Sequence, residues 1–121
     1  METDAVIHMQ NLIRSGKLQL CWSFVLDYEN ASNPFKEVRN QIQRWKQVAI
    51  VDCTLTDKVL KKSEELMDVG LRQMDAAHIA CAIHLEADCF ITTDKRILNK
   101  LITGISIFNP IDFIRRYADV K

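Results

Sequence analysis

The chain has three glycines, two prolines and no glycine-rich run in 121 residues. A phosphate-cradling loop needs several closely spaced glycines so that backbone N–H groups can approach the ligand, so a nucleotide-binding NTPase or a dinucleotide enzyme is excluded on this ground. Nor does any serine or cysteine sit at a glycine-flanked elbow, which leaves a nucleophilic hydrolase without support. Charge of either sign is not in excess: 16 Lys and Arg balance 16 Asp and Glu, so no global field points to a nucleic-acid or membrane partner. Long apolar runs are missing as well. No stretch approaches the length of a membrane span, and nothing after Met1 reads as a secretory leader, which predicts a reduced, cytoplasmic protein without a membrane partner. The four cysteines, Cys21, Cys53, Cys81 and Cys89, lie in or beside apolar runs without CxxC spacing, and so read as small buried hydrophobes rather than zinc ligands. His8, His78 and His84 form no ligand motif, although His78 lies one helical turn after Asp75 and could orient it.

What is present is a regular alternation. Residues 3–15 carry apolar side chains at helical spacing and end at Gly16. The run 18–22 alternates like a strand, and Ser23 is placed to cap a short helix holding Val25, Leu26 and Tyr28. Glu29 shares a face of that helix with Val25, so its carboxylate is expected to point inward, whereas Asp27 reads as an ordinary surface acid. Asn33-Pro34 marks a helix start, with Phe35, Val38, Ile42 and Trp45 as a core stripe. A second strand is predicted over 48–53, and Thr56 caps a helix that stops at Gly70. Asp75 opens a helix that is apolar on nearly every face through Leu85 and therefore buried. A strand at 89–92 leads into a helix begun by Thr93-Asp94, and a last strand at 105–108 precedes a closing helix begun by Asn109-Pro110. Strands alternating with helices predict an α/β fold, a parallel sheet covered by helices on both faces, in one domain spanning residues 1–121.

The alternation gives Asp75 and Asp94 a common setting. One opens a helix and the other lies just past the carboxyl end of a strand, which is where open parallel sheets gather ligands. Two carboxylates at such a place repel each other unless a cation neutralises them, and oxygen donors suit magnesium or manganese. Plain helix capping by Asp94 accounts for the same local spacing.

Three stretches together resemble the PIN-domain ribonucleases, in particular the toxin type of VapBC toxin–antitoxin pairs. They are Asp75-Ala-Ala-His-Ile-Ala with Glu86-Ala-Asp-Cys-Phe-Ile-Thr-Thr-Asp94-Lys-Arg-Ile-Leu, then Trp22-Ser-Phe-Val-Leu-Asp-Tyr-Glu29-Asn, and Ile107-Phe-Asn-Pro-Ile-Asp-Phe. The resemblance implies a three-layer α/β/α fold and an acidic site that holds Mg2+ or Mn2+ and hydrolyses phosphodiester bonds in RNA. Its metal ligands map onto Glu29, Asp75 and Asp94, with Asp88 a peripheral match. Thr92 and Thr93 would support them, and Lys95 and Arg96 could meet phosphate. Partners implied are an RNA substrate, an antitoxin protein and a second copy in a homodimer. The family's opening strand, ending in Asp-Thr-Asn or similar, has no counterpart here, which implies either a start placed too late in a longer protein or a chain that has lost the strand. In both cases ladder groups between the strand before Ser23 and the strand at 89–92 would lack a partner. The competing expectation is then a PIN-like module that binds a partner or dimerises without catalysis.

Overall fold

The computed structural model describes the backbone of residues 2–120 and the side chains of residues 3–117. It is a mixed α/β chain, mostly helical. Its elements are α1 (Glu2–Arg14), β1 (Cys21–Ser23), α2 (Phe24–Ala31), α3 (Lys36–Val48), β2 (Val51–Cys53), α4 (Asp57–Asp68), α5 (Gln73–His84), β3 (Cys89–Ile91), α6 (Lys95–Leu98), β4 (Ser106–Phe108) and α7 (Pro110–Val120).

Local chemistry accounts for most boundaries. Gly16, at φ 80°, ends α1: its own N–H reaches Ile13 O at 3.1 Å and the N–H of Lys17 reaches Leu12 O at 2.9 Å, the paired bonds of a Schellman stop. Thr56 caps α4 by accepting from the N–H of Val59 at 3.3 Å. The same Schellman pattern closes α5 at Glu86, which takes φ 58° although it is not a glycine. Several starts differ from the sequence-based expectation: α5 opens at Gln73, after Arg72, and not at Asp75, and β1 opens at Cys21 and not at 18. Asn33 does not cap the helix at Pro34. Its side chain accepts from the N–H of Phe35 at 2.9 Å, closing a local turn that delays α3 to Lys36. Because α3 then runs on to Val48, β2 shrinks to three residues rather than opening at Val48.

The core is built on α5. Ala76, Ile79 and Ala80 have no exposed surface, Cys81 is 1% exposed, and they join Val59 and Leu66 of α4, Cys53 of β2 and Ile97 of α6. A helix with apolar residues around its circumference has to be surrounded, and α5 packs along α4 while also touching α2, β1 and β3. At the other side of the fold α1 packs on α7, which in turn rests on β4. The stripe expected to be core on α3 is not: Phe35 is 67% and Val38 39% exposed, and no residue of α3 is buried. That helix lies at the rim, with Ile42 and Trp45 the half-buried members of the stripe.

Strand pairing is parallel, as expected, but forms two separate pairs. β1 pairs with β2, Cys21 opposite Val51 and Ser23 opposite Cys53. β3 pairs with β4, Cys89 opposite Ser106 and Ile91 opposite Phe108. Among the described residues no ladder joins β1 to β3, so the single sheet expected from the alternation is divided in two.

Candidate functional site: an acidic crevice held by the chain's own cations

The three carboxylates singled out in the sequence come from three elements. Glu29 is on α2, Asp75 in the first turn of α5, and Asp94 is the residue just before α6, three positions past the end of β3. Each is fixed by what surrounds it.

Asp94 caps α6, accepting from the N–H of Arg96 at 2.9 Å. Arg96 also folds its side chain back onto the same carboxylate, Nε to Oδ1 at 3.2 Å and Nη2 to Oδ2 at 2.9 Å. This two-pronged contact is the geometry in which guanidinium meets carboxylate best. The side-chain bond from Arg96, followed by its backbone N–H and the positive charges of Arg96 and Arg72, holds the Asp94 carboxyl below its ordinary value. Thr92 supports the turn, its hydroxyl accepting from the N–H of Asp94 at 3.1 Å. Capping and charge pairing thus coexist at this residue. Thr93 and Lys95 are exposed, without a described bond to either acid.

Asp75 is half-buried, and its charge acts on the same guanidinium, raising the Arg96 pKa together with Asp94. Arg96 is thus bound to Asp94 and only weakly under the charge of Asp75, and Arg72 at the head of α5 acts on Asp94.

Glu29 is linked to α5 through a different group. Its Oε1 lies 2.8 Å from Nε2 of His78, and the other ring nitrogen, Nδ1, lies 3.1 Å from Oγ of Ser23. Ser23, at the end of β1 and the start of α2, leaves the usual capping bond unmade and gives its hydroxyl to the histidine. Two expectations change here. Glu29 does not turn into the core beside Val25: its side chain is 48% exposed. And His78 orients Glu29, not Asp75. His78 and Asp75 are one turn apart on α5, so the Glu29–His78 contact sets Glu29 against the same stretch of that helix as Asp75. Asp27 is also more than a surface acid, since it accepts from Trp22 Nε1 at 3.1 Å and pairs with Lys46 at 2.9 Å.

Among the described residues no three His, Cys, Asp or Glu side chains are gathered closely enough to cage a metal as they stand. Glu29, Asp75 and Asp94 each offer carboxylate oxygens, the donors a hard divalent cation takes, and Arg96 on Asp94 marks a place where positive charge is favourable. His78, Ser23 and Arg72 were not assigned these roles from sequence. The i, i+3 spacing of Asp75 and His78 was the only available signal, because their other contacts span 49 and 55 residues.

Beside the crevice, Glu29 also borders a cavity of about 400 Å3 between α1, α2 and α3, walled by Ile13, Leu20, Trp22, Leu26 and Trp45. The Arg14 guanidinium sits 4.7 Å from the centre of the Trp45 ring at its edge. The thiols of Cys53 and Cys81 are buried in the core, and burial, with Cys53 alongside, pushes the Cys81 thiol up strongly. No described helix is long and apolar enough to cross a membrane. No family model, curated protein or solved structure matches this chain.

Proposed function

We propose that this chain is the body of a PIN-type, three-layer α/β/α ribonuclease of toxin type, which uses Mg2+ or Mn2+ held by Glu29, Asp75 and Asp94 to hydrolyse phosphodiester bonds in RNA. The observation that supports the reading is that His78, one helical turn from Asp75 on α5, holds Glu29 at 2.8 Å. A divalent ion in that crevice would supply polarisation of the phosphoryl oxygens and a more acidic bound water. The chain's own residues do the positioning. Thr92 fixes the turn that presents Asp94, and His78, braced by Ser23, sets the direction of Glu29. Arg96 beside Asp94, with Arg72 at the head of α5, would be the groups to meet phosphate. An antitoxin protein and a second copy of the chain are the partners this reading carries with it.

The test is cleavage of a structured RNA by the purified chain in Mn2+, compared with Asp94→Asn. Cleavage that needs the metal and vanishes in the variant supports the proposal, and cleavage unaffected by Asp94→Asn overturns it.

A second reading, a PIN-like module that binds a partner without catalysis, is favoured by one specific observation. Asp94 and Glu29 already have partners within the chain, in Arg96 and His78, without a metal. No metal-dependent cleavage by the intact chain would select that reading.

A further inference from the structure

Next to the apolar cavity that Glu29 borders lies a second one, of about 530 Å3, whose walls are of the opposite character. Gln10 and Arg14, one turn apart on α1, and Gln41, Arg44 and Trp45, within one turn on α3, line it together with Val48. No acid does, among the described residues. Arg96, Lys46 and Arg39 are matched within the chain, to Asp94, Asp27 and the carbonyl of Asn33, whereas neither Arg14 nor Arg44 meets a carboxylate among the described residues. Arg14 is also held in place. Its guanidinium lies over the Trp45 ring, 4.7 Å from the centre, and a stacked guanidinium keeps the N–H groups at its edge for an acceptor.

The two cavities have Gln10 and Trp45 in common, so they adjoin. In the wall of the apolar one, Asn30 is 5% exposed: its Nδ2 donates to the carbonyl of Arg39 at 3.2 Å, and its Oδ1 has no partner. A buried carbonyl oxygen without a donor is unfavourable, and what it lacks is an N–H. Taken together the walls ask for a ligand with three properties: an apolar body to lie among Trp22, Leu26 and Trp45, N–H donors at the edge of that body, and negative charge beside it. A nucleobase carried on its phosphate chain has all three. It enters such a cavity only when it is unpaired and out of its stack, so the strand is a single one.

We propose that the two cavities form a subsite for single-stranded RNA beside the acidic crevice, in which one base enters the apolar cavity next to Glu29 and the neighbouring phosphates meet Arg14 and Arg44. The identity of the strand as RNA rests on the ribonuclease reading, which the subsite deepens by making the substrate an unpaired segment.

Fluorescence anisotropy of a labelled oligoadenylate of about ten nucleotides, titrated with the intact chain in EDTA, tests the subsite without cleavage. Arg14→Gln combined with Arg44→Gln is expected to weaken binding about tenfold and to flatten the dependence of log Kd on log salt by about 1.4, the share of two phosphate contacts on a single strand. Lys58→Gln combined with Lys61→Gln removes the same charge from exposed positions on α4 and is expected to weaken it less than about threefold. Equal losses in the two double variants overturn the subsite, as does equal affinity for the fully paired duplex. Displacement of the RNA by an equal concentration of polyglutamate also overturns it, by making an acidic polypeptide the occupant. Because no metal is present, the two readings fail separately: binding through Arg14 and Arg44 by a chain that cleaves nothing in Mn2+ keeps the subsite and loses the nuclease, and cleavage by a chain whose RNA affinity ignores both arginines does the reverse.

Discussion

Ile79 gives the sharpest test of the architecture. Its side chain is fully buried on the helix that α4, β1 and β3 all touch. In Ile79→Ala three carbons leave the core, about 2.4 kcal/mol at about 0.8 kcal/mol per buried methylene. The cavity left between α4 and the strands adds to this, because close-packed surroundings relax only in part, while alanine's better helix propensity returns a few tenths. The expected loss is about 3 kcal/mol, roughly two orders of magnitude in the ratio of folded to unfolded chain. In urea, with a slope of about 2 kcal/mol per molar, the midpoint falls by about 1.5 M without a change in slope. Ile7→Ala, at a side chain 50% exposed on α1, serves as the reference and is expected to change stability by less than about 0.5 kcal/mol. A loss below about 1 kcal/mol at Ile79 would refute the placing of α5 at the centre of the core.

Asp94 is expected to titrate below the ordinary aspartate value in carboxyl-detected NMR, and Arg96→Gln to move it back up. Because its pKa is depressed in the fold, the Asp94–Arg96 contact stabilises above the ordinary value of 3.8 and is lost as pH falls through the depressed one. An acid transition identical in wild type and Arg96→Gln would contradict this. Glu86, held at φ 58° to close α5, is strained for a side chain, so Glu86→Gly should raise stability by about 0.5–1 kcal/mol in the same urea assay. A loss there would show that the Glu86 side chain contributes something the backbone does not reveal.

The order of helices and strands was legible because most elements carry their own signals: the Gly16 stop, the Thr56 cap, the apolar surround of α5 and the short β-prone run before Thr92. What local signals could not show is pairing over distance. The alternation implies a parallel sheet, but whether four three-residue strands make one sheet or two depends on contacts between segments far apart in the chain. α3 misled for a related reason. Its apolar stripe at Phe35, Val38, Ile42 and Trp45 has the right period, yet a helix at the rim can bury only part of such a stripe. At the site, the places of Asp75 near a helix start and of Asp94 past a strand end were visible from local signals, while the link from Glu29 to His78 joins residues 49 positions apart and leaves no local pattern. Arg96 was read as a group that could meet phosphate, and in the fold it pairs with the carboxylate two residues before it, a contact the spacing did not announce.

The most direct test of the central claim is calorimetric titration of Mn2+ into the purified chain beside an Asp75→Asn, Asp94→Asn double variant. The account requires one saturable site in the wild-type chain, opposed by Arg96 and so tighter in Arg96→Gln, and lost in the double variant. Equal heats in wild type and double variant, or no binding in either, would contradict a metal site built from these carboxylates.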